Sequence, residues 1–85
     1  MNVNDQLRAA GVRVTPLRQF VLEQLQRSDR PIRVVDLLAA RPSHLTSSGA
    51  TALGRAVQAL VAVGLVEQHT GTSPGTFRLR AAPSA

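Results

Sequence analysis

Up to Gly64 the apolar residues of this chain recur at intervals of three and four, and after it they alternate with polar ones. That change of period is the strongest restriction on the fold, because helices and strands bury their faces with different repeats. After Gly64, Leu65-Val66-Glu67-Gln68-His69 and Thr76-Phe77-Arg78-Leu79-Arg80 have strand length. The Thr70–Gly75 run between them is rich in turn formers, so the two strands read as a hairpin. Phe77 and Leu79 are expected to face the core, with Thr76, Arg78 and Arg80 outward.

Before Gly64 the pattern predicts four helices. Residues 5–10 form a short one, closed by Gly11 in a left-handed C-terminal position. Thr15 is a good N-cap, and Pro16, with no N–H to lose, a good first helical residue. Leu17, Phe20, Val21 and Leu25 then give the apolar stripe of a helix over about 16–28. Ser28–Pro31 is a turn, and Pro31-Ile32-Arg33 has the extended character of a one-bond strand. Val34, Val35, Leu37 and Leu38 open a third helix that ends before Pro42, with Arg33 a poor N-cap. Pro42–Ser48 reads as a polar loop containing His44. Ser47 or Ser48 caps a fourth helix, which Gly64 closes. Leu53, Val57, Leu60 and Val61 form its apolar stripe, while Thr51, Arg55, Gln58 and Ala62 form a polar face.

The expected class is therefore mainly α with a small β-hairpin wing: four helices, then a two-stranded antiparallel wing, a winged helix-turn-helix. With 85 residues there is room for one domain, here residues 1–80, with 81–85 a flexible tail. Only two residues are aromatic, both Phe, so Leu, Val and Ala must fill the core, which suits helices better than a sandwich.

Composition narrows function. There is no cysteine, which excludes disulfides, thiolate zinc sites and thiol catalysis. No apolar run approaches membrane-spanning length and no signal peptide opens the chain, so no membrane partner and a cytoplasmic location are expected. The formal net charge is +5, and all ten basic residues are Arg. A polyanionic partner follows, nucleic acid being the commonest, although Arg-rich usage also arises from genome composition alone. No paired carboxylates, phosphate-binding glycine loop or nucleophile–base spacing is visible among Asp36, His44 and Ser47, so no enzyme is expected.

The run from Leu7 to Arg18, Leu-Arg-Ala-Ala-Gly-Val-Arg-Val-Thr-Pro-Leu-Arg, resembles the opening of the ferric uptake regulator family's DNA-binding domain. Val21-Leu22-Glu23, Asp36-Leu37 and Val63-Gly64-Leu65-Val66 extend the resemblance over about residues 6–80. It implies a double-stranded DNA-binding transcriptional regulator, such as a repressor. The fourth helix would lie in the major groove and the wing on the backbone. Arg13 would enter the minor groove, Thr15 and Arg18 would approach phosphates, and Arg55 would be the basic residue of the recognition helix. Ser47, Ser48, Thr51 and Gln58 stand at that helix's start and on its polar face, and Arg78 and Arg80 are wing candidates for phosphates.

Two departures matter. The family usually carries a Tyr beside the recognition-helix Arg, and here that position is Gly54. Glycine there either lets the backbone approach DNA closely or marks lost specificity or binding. The family also continues beyond the wing into a His-rich, metal-binding dimerisation domain, where this chain ends at Ala85. His44 and His69 lie far apart with no carboxylate at ligand spacing, so no metal site and no cofactor are expected. Pairing would need another route, through a homodimer or with a full-length relative. The natural-looking start supports a genuine N-terminus, and the chain's being part of a longer protein stays open. The rival reading is a protein-interaction module, or a modulator of a full-length regulator, with little DNA binding of its own. Arginines gathered on one side would favour DNA; arginines scattered around an apolar patch would favour a protein.

Overall fold

Why each helix begins and ends where it does is set by its caps. The computed structural model describes residues 2–28, 30–47, 49–69 and 76–79, with only the backbone of His69. Helix α1 (Val3–Ala9) starts two residues earlier than expected, because the Asn2 side chain accepts the Asp5 N–H at 2.9 Å and so caps it. The earlier start brings Val3 into the core. Helix α2 (Pro16–Arg27) has the expected start: Thr15 Oγ1 accepts the Arg18 N–H at 3.2 Å, and Pro16 follows.

Helix α1 and helix α4 (Ala50–Ala62) close in the same way. Gly11 donates to the Arg8 carbonyl at 3.0 Å and Val12 to Leu7 at 2.9 Å, while Gly64 donates to Val61 and Leu65 to Leu60, both at 3.0 Å. These paired bonds are Schellman closures, and they need the left-handed backbone seen at Gly11 (φ 75°) and Gly64 (φ 81°). Gly64→Ala is therefore expected to cost about 1–2 kcal/mol and lower the melting midpoint by about 5–15 °C, read by thermal denaturation. An unchanged midpoint would mean that this cap does not hold the end of α4.

Between them, β1 (Ile32–Arg33) leads directly into α3 (Val34–Ala39). Arg33 has no capping side chain, but its backbone N–H donates to Asp36 Oδ2 at 3.0 Å, half of a capping box supplied from inside the helix. The segment expected to be a polar loop contains a 3-10 turn, Ser43–Leu45, whose Leu45 is buried. Ser47 does not cap α4: the capping position is Gly49, so the helix starts at Ala50 rather than at 48. Ser48 lies outside the described residues, as do Arg80, the wing loop 70–75 and the tail 81–85.

The wing strands β2 (Val66–His69) and β3 (Thr76–Leu79) pair antiparallel, with Glu67 opposite Arg78 and Gln68 opposite Phe77. The expected two-stranded wing is one part of a three-stranded sheet of order β1-β3-β2, because Ile32 pairs with Phe77 and Arg33 with Thr76. Thr76, expected to point outward, is buried together with Phe77. Strand β3 is the central strand, paired along both edges, and packs against α2.

The core gathers Leu7 from α1, Phe20, Val21, Leu22 and Leu25 from α2, Leu37 from α3, Leu53, Ala56, Val57 and Leu60 from α4, and Val66 and Phe77 from the sheet. Helix α2 contacts α1, α4 and β3, which widens its buried face beyond the expected stripe and takes in Leu22. Val35, expected among the apolar residues of α3, is 55% exposed. Four helices with this small sheet make a winged-helix fold. Among the described residues no helix is long and apolar enough to cross a membrane.

Candidate nucleic-acid interface

The residues that α4 does not bury follow from helical geometry. Leu53, Ala56, Val57 and Leu60 face the core, so Thr51, Arg55, Gln58 and Ala62, at steps of four, three and four, face away and are exposed. The start of α2 packs beside this face. Thr15, Leu17 and Arg18 from α2 and its cap, with Ala52, Arg55 and Ala56 from α4, line one open depression of about 270 Å³. The small side chains of Ala52 and Ala56 leave the space, and two guanidinium-bearing residues border it.

The Arg18 Nη1 donates to the Arg13 carbonyl at 2.9 Å, strapping the segment before α2 onto its first turn. Thr15, Arg18 and Arg55 are thus brought together, with the Arg13 backbone held beside Arg18 and with Thr51 and Gln58 one turn of α4 to either side of Arg55. Among the described residues no carboxylate borders the depression. The ion pairs found among the described residues lie elsewhere, at Arg33–Asp36 and Arg78–Glu67. The positive end of α2 adds to the local field. Thr15 Oγ1 accepts from the helix backbone, which leaves its own hydroxyl hydrogen to donate outward. Together these groups form a positively charged, donor-rich surface suited to an anion.

The wing is not continuous in charge with this cluster. The Arg78 Nε donates to Glu67 Oε2 at 3.2 Å across the β2–β3 pair. Both partners are substantially exposed, so the pair contributes at most about 1 kcal/mol to stability, but it neutralises the arginine locally. Ser47 is exposed in the turn before α4, and His44 is exposed in the 3-10 turn. Among the described residues, no group of three His, Cys, Asp or Glu is placed to hold a metal. Among the described residues the exposed large apolar side chains are Val35 and Val63, and neither borders the depression.

Sequence reasoning passes over Arg41. Its Nε donates to the Leu38 carbonyl at 3.0 Å and its Nη1 to the Thr46 carbonyl at 2.9 Å, bridging the end of α3 to the turn that leads into α4. A cation just past a helix C-terminus is the available signal, since it can bind the last carbonyls. Leu17, Ala52 and Ala56 were likewise legible as helix residues but not as walls of a shared depression.

No protein-family model matches the chain, and no curated protein matches it. Solved structures do. The Vibrio cholerae ferric uptake regulator superposes with a TM-score of 0.75 at 24% identity, over 95% of this chain and 63% of that one. The ferric uptake regulator from Pseudomonas aeruginosa, solved with manganese, gives 0.75 at 27% identity, over 93% of this chain and 60% of that one. Holo XcZur gives 0.69 at 25%, over 94% of this chain and 58% of that one. The chain thus spans less than two thirds of the length of these neighbours, and what it shares with them is the winged-helix fold.

Proposed function

We propose that this chain is a sequence-specific, double-stranded DNA-binding regulator of the ferric uptake regulator type. Helix α4 enters the major groove, and the α2 N-terminus with Arg13, Thr15 and Arg18 holds the neighbouring backbone. The observation that carries the reading is the uncompensated gathering of Arg18 and Arg55 around one depression, on the exposed side of α4. The likeness to regulators whose structures include DNA-binding domains supports it. Arg78 and Arg80 of the wing and Ser47 and Ser48 ahead of α4 supply further backbone contacts in this reading. Two copies, or one copy with a longer relative, would read two half-sites and bind more tightly than one.

The test is fluorescence anisotropy of the purified chain on mixed-sequence duplex DNA, from low to physiological salt, with Thr15→Asp alongside. Aspartate caps a helix at least as well as threonine, so the variant should melt at or above the wild-type temperature. Its carboxylate would nonetheless stand where a phosphate docks, and binding should weaken about tenfold at low salt. Thr15→Asp binding as tightly as wild type would remove the α2 N-terminus from the interface. A wild-type chain that binds no duplex at low salt would sink the proposal.

That last result would favour the second reading, a protein-docking module. The observation on its side is the Arg78–Glu67 pair, which leaves the described part of the wing without net positive charge.

A further inference from the structure

Helix α4 runs unbroken from Ala50 to Ala62 through Gly54, although a helix interior is where glycine is least favourable after proline. Conformation does not call for it: the described glycines with positive φ are Gly11 and Gly64. Internal packing does not call for it either, since a Cβ built at position 54 would meet no atom within 4 Å. Both reasons a folded chain normally has for glycine are therefore missing at this position.

The surroundings of Gly54 are the polar side of α4. Ala50 and Thr51 lie one turn before it and Gln58 one turn after, all exposed, with Arg55 adjacent. Ala50 and Gly54, about 6 Å apart along the axis, leave a shallow notch in the helix surface. A long side chain at 54 would project between Thr51 and Gln58 and hold both farther from a groove floor than Gly54 does. Thr51 is too short to reach past such a neighbour, and Arg55 alone has the length to do so.

We infer that Gly54 is a specificity-determining clearance residue, which lets the α4 backbone sink into the major groove of duplex DNA until Thr51 and Gln58 reach base edges. The inference rests on the DNA-binding reading above and adds how the groove is read. It separates depth of insertion, set by Gly54, from attraction to the backbone, set by Arg18 and Arg55.

The experiment begins by selecting duplexes with the wild-type chain from a library with a randomised central segment. Wild type, Gly54→Ala and Gly54→Leu are then titrated against a selected duplex and against mixed-sequence duplex, and each is melted without DNA. Gly54→Ala should melt higher than wild type by about 3–8 °C. It should bind the selected duplex about fivefold more weakly, and Gly54→Leu about a hundredfold more weakly. Both should bind mixed duplex within about twofold of wild type, because that binding is backbone attraction. Higher stability with weaker selected-duplex binding is a pairing that a purely structural glycine cannot produce. Equal binding of the selected duplex by all three proteins would overturn the inference and leave the DNA reading standing. So would a wild-type chain that binds mixed duplex but enriches no sequence. A wild-type chain that binds no duplex would overturn both together.

Discussion

Leu53→Ala is expected to lower the melting midpoint by more than about 10 °C, the largest stability effect of any single change considered. Leu53 is 0% exposed on the inner face of α4, and the core around it draws on α2, α3 and the sheet. Truncation removes buried methyl groups and leaves a cavity, together costing about 2–5 kcal/mol. A domain of this size has roughly 5–10 kcal/mol in total, so the variant should sit near the edge of folding at physiological temperature. Urea and thermal denaturation followed by circular dichroism would measure it. A loss below about 1 kcal/mol would mean that α4 is not clamped by its core, and with it the arrangement of Arg55 against Arg18.

The largest effect on binding is expected from Arg18→Ala with Arg55→Ala. If each arginine contacts a phosphate or a base edge, their joint loss should weaken duplex binding about a hundredfold or more at low salt. The salt dependence is the sharper readout. Each neutralised phosphate adds about 0.9 to the slope of log affinity against log salt, so the double variant should lose nearly two units if both contact phosphates. Neither side chain is buried, so melting should change little, apart from the Arg18 strap to the Arg13 carbonyl. Arg41→Gln is the natural control. Its guanidinium is bonded to the Leu38 and Thr46 carbonyls, so its loss should affect stability and leave the salt slope unchanged. An unaltered slope in the double variant would remove the depression from any role in holding DNA.

Much of this was legible in the sequence, and the reasons differ by residue. Thr15-Pro16 and Gly64 announce themselves because their roles depend on local backbone chemistry alone. Helix α4's outer face was legible because periodicity assigns it without knowledge of partners. What could not be read depends on neighbours distant in the chain. Leu45 is a lone apolar residue among polar ones, with no period to betray that it is buried. Ser47 and Ser48 looked like caps because of their type, yet the backbone enters α4 at Gly49, where no side chain bonds the first turn. Thr76 obeys strand alternation on paper yet is buried, at the point of β3 that stands opposite both Arg33 and His69. The depression itself joins the start of α2 to the middle of α4, and only the packing of those two helices makes it one surface.

The sheet order carries a consequence for how the protein is made. The strand synthesised last of the three, β3, stands between the other two, and among the described residues β1 pairs with β3 alone. On a ribosome the helices therefore emerge with Ile32 unpaired and the space filled by Phe77 vacant. Until Thr76–Leu79 is released, the nascent chain holds an incomplete core that tertiary packing cannot close. Chaperone engagement should be greatest in that interval, and a chain truncated just before residue 76 should be far more sensitive to protease than the 85-residue chain.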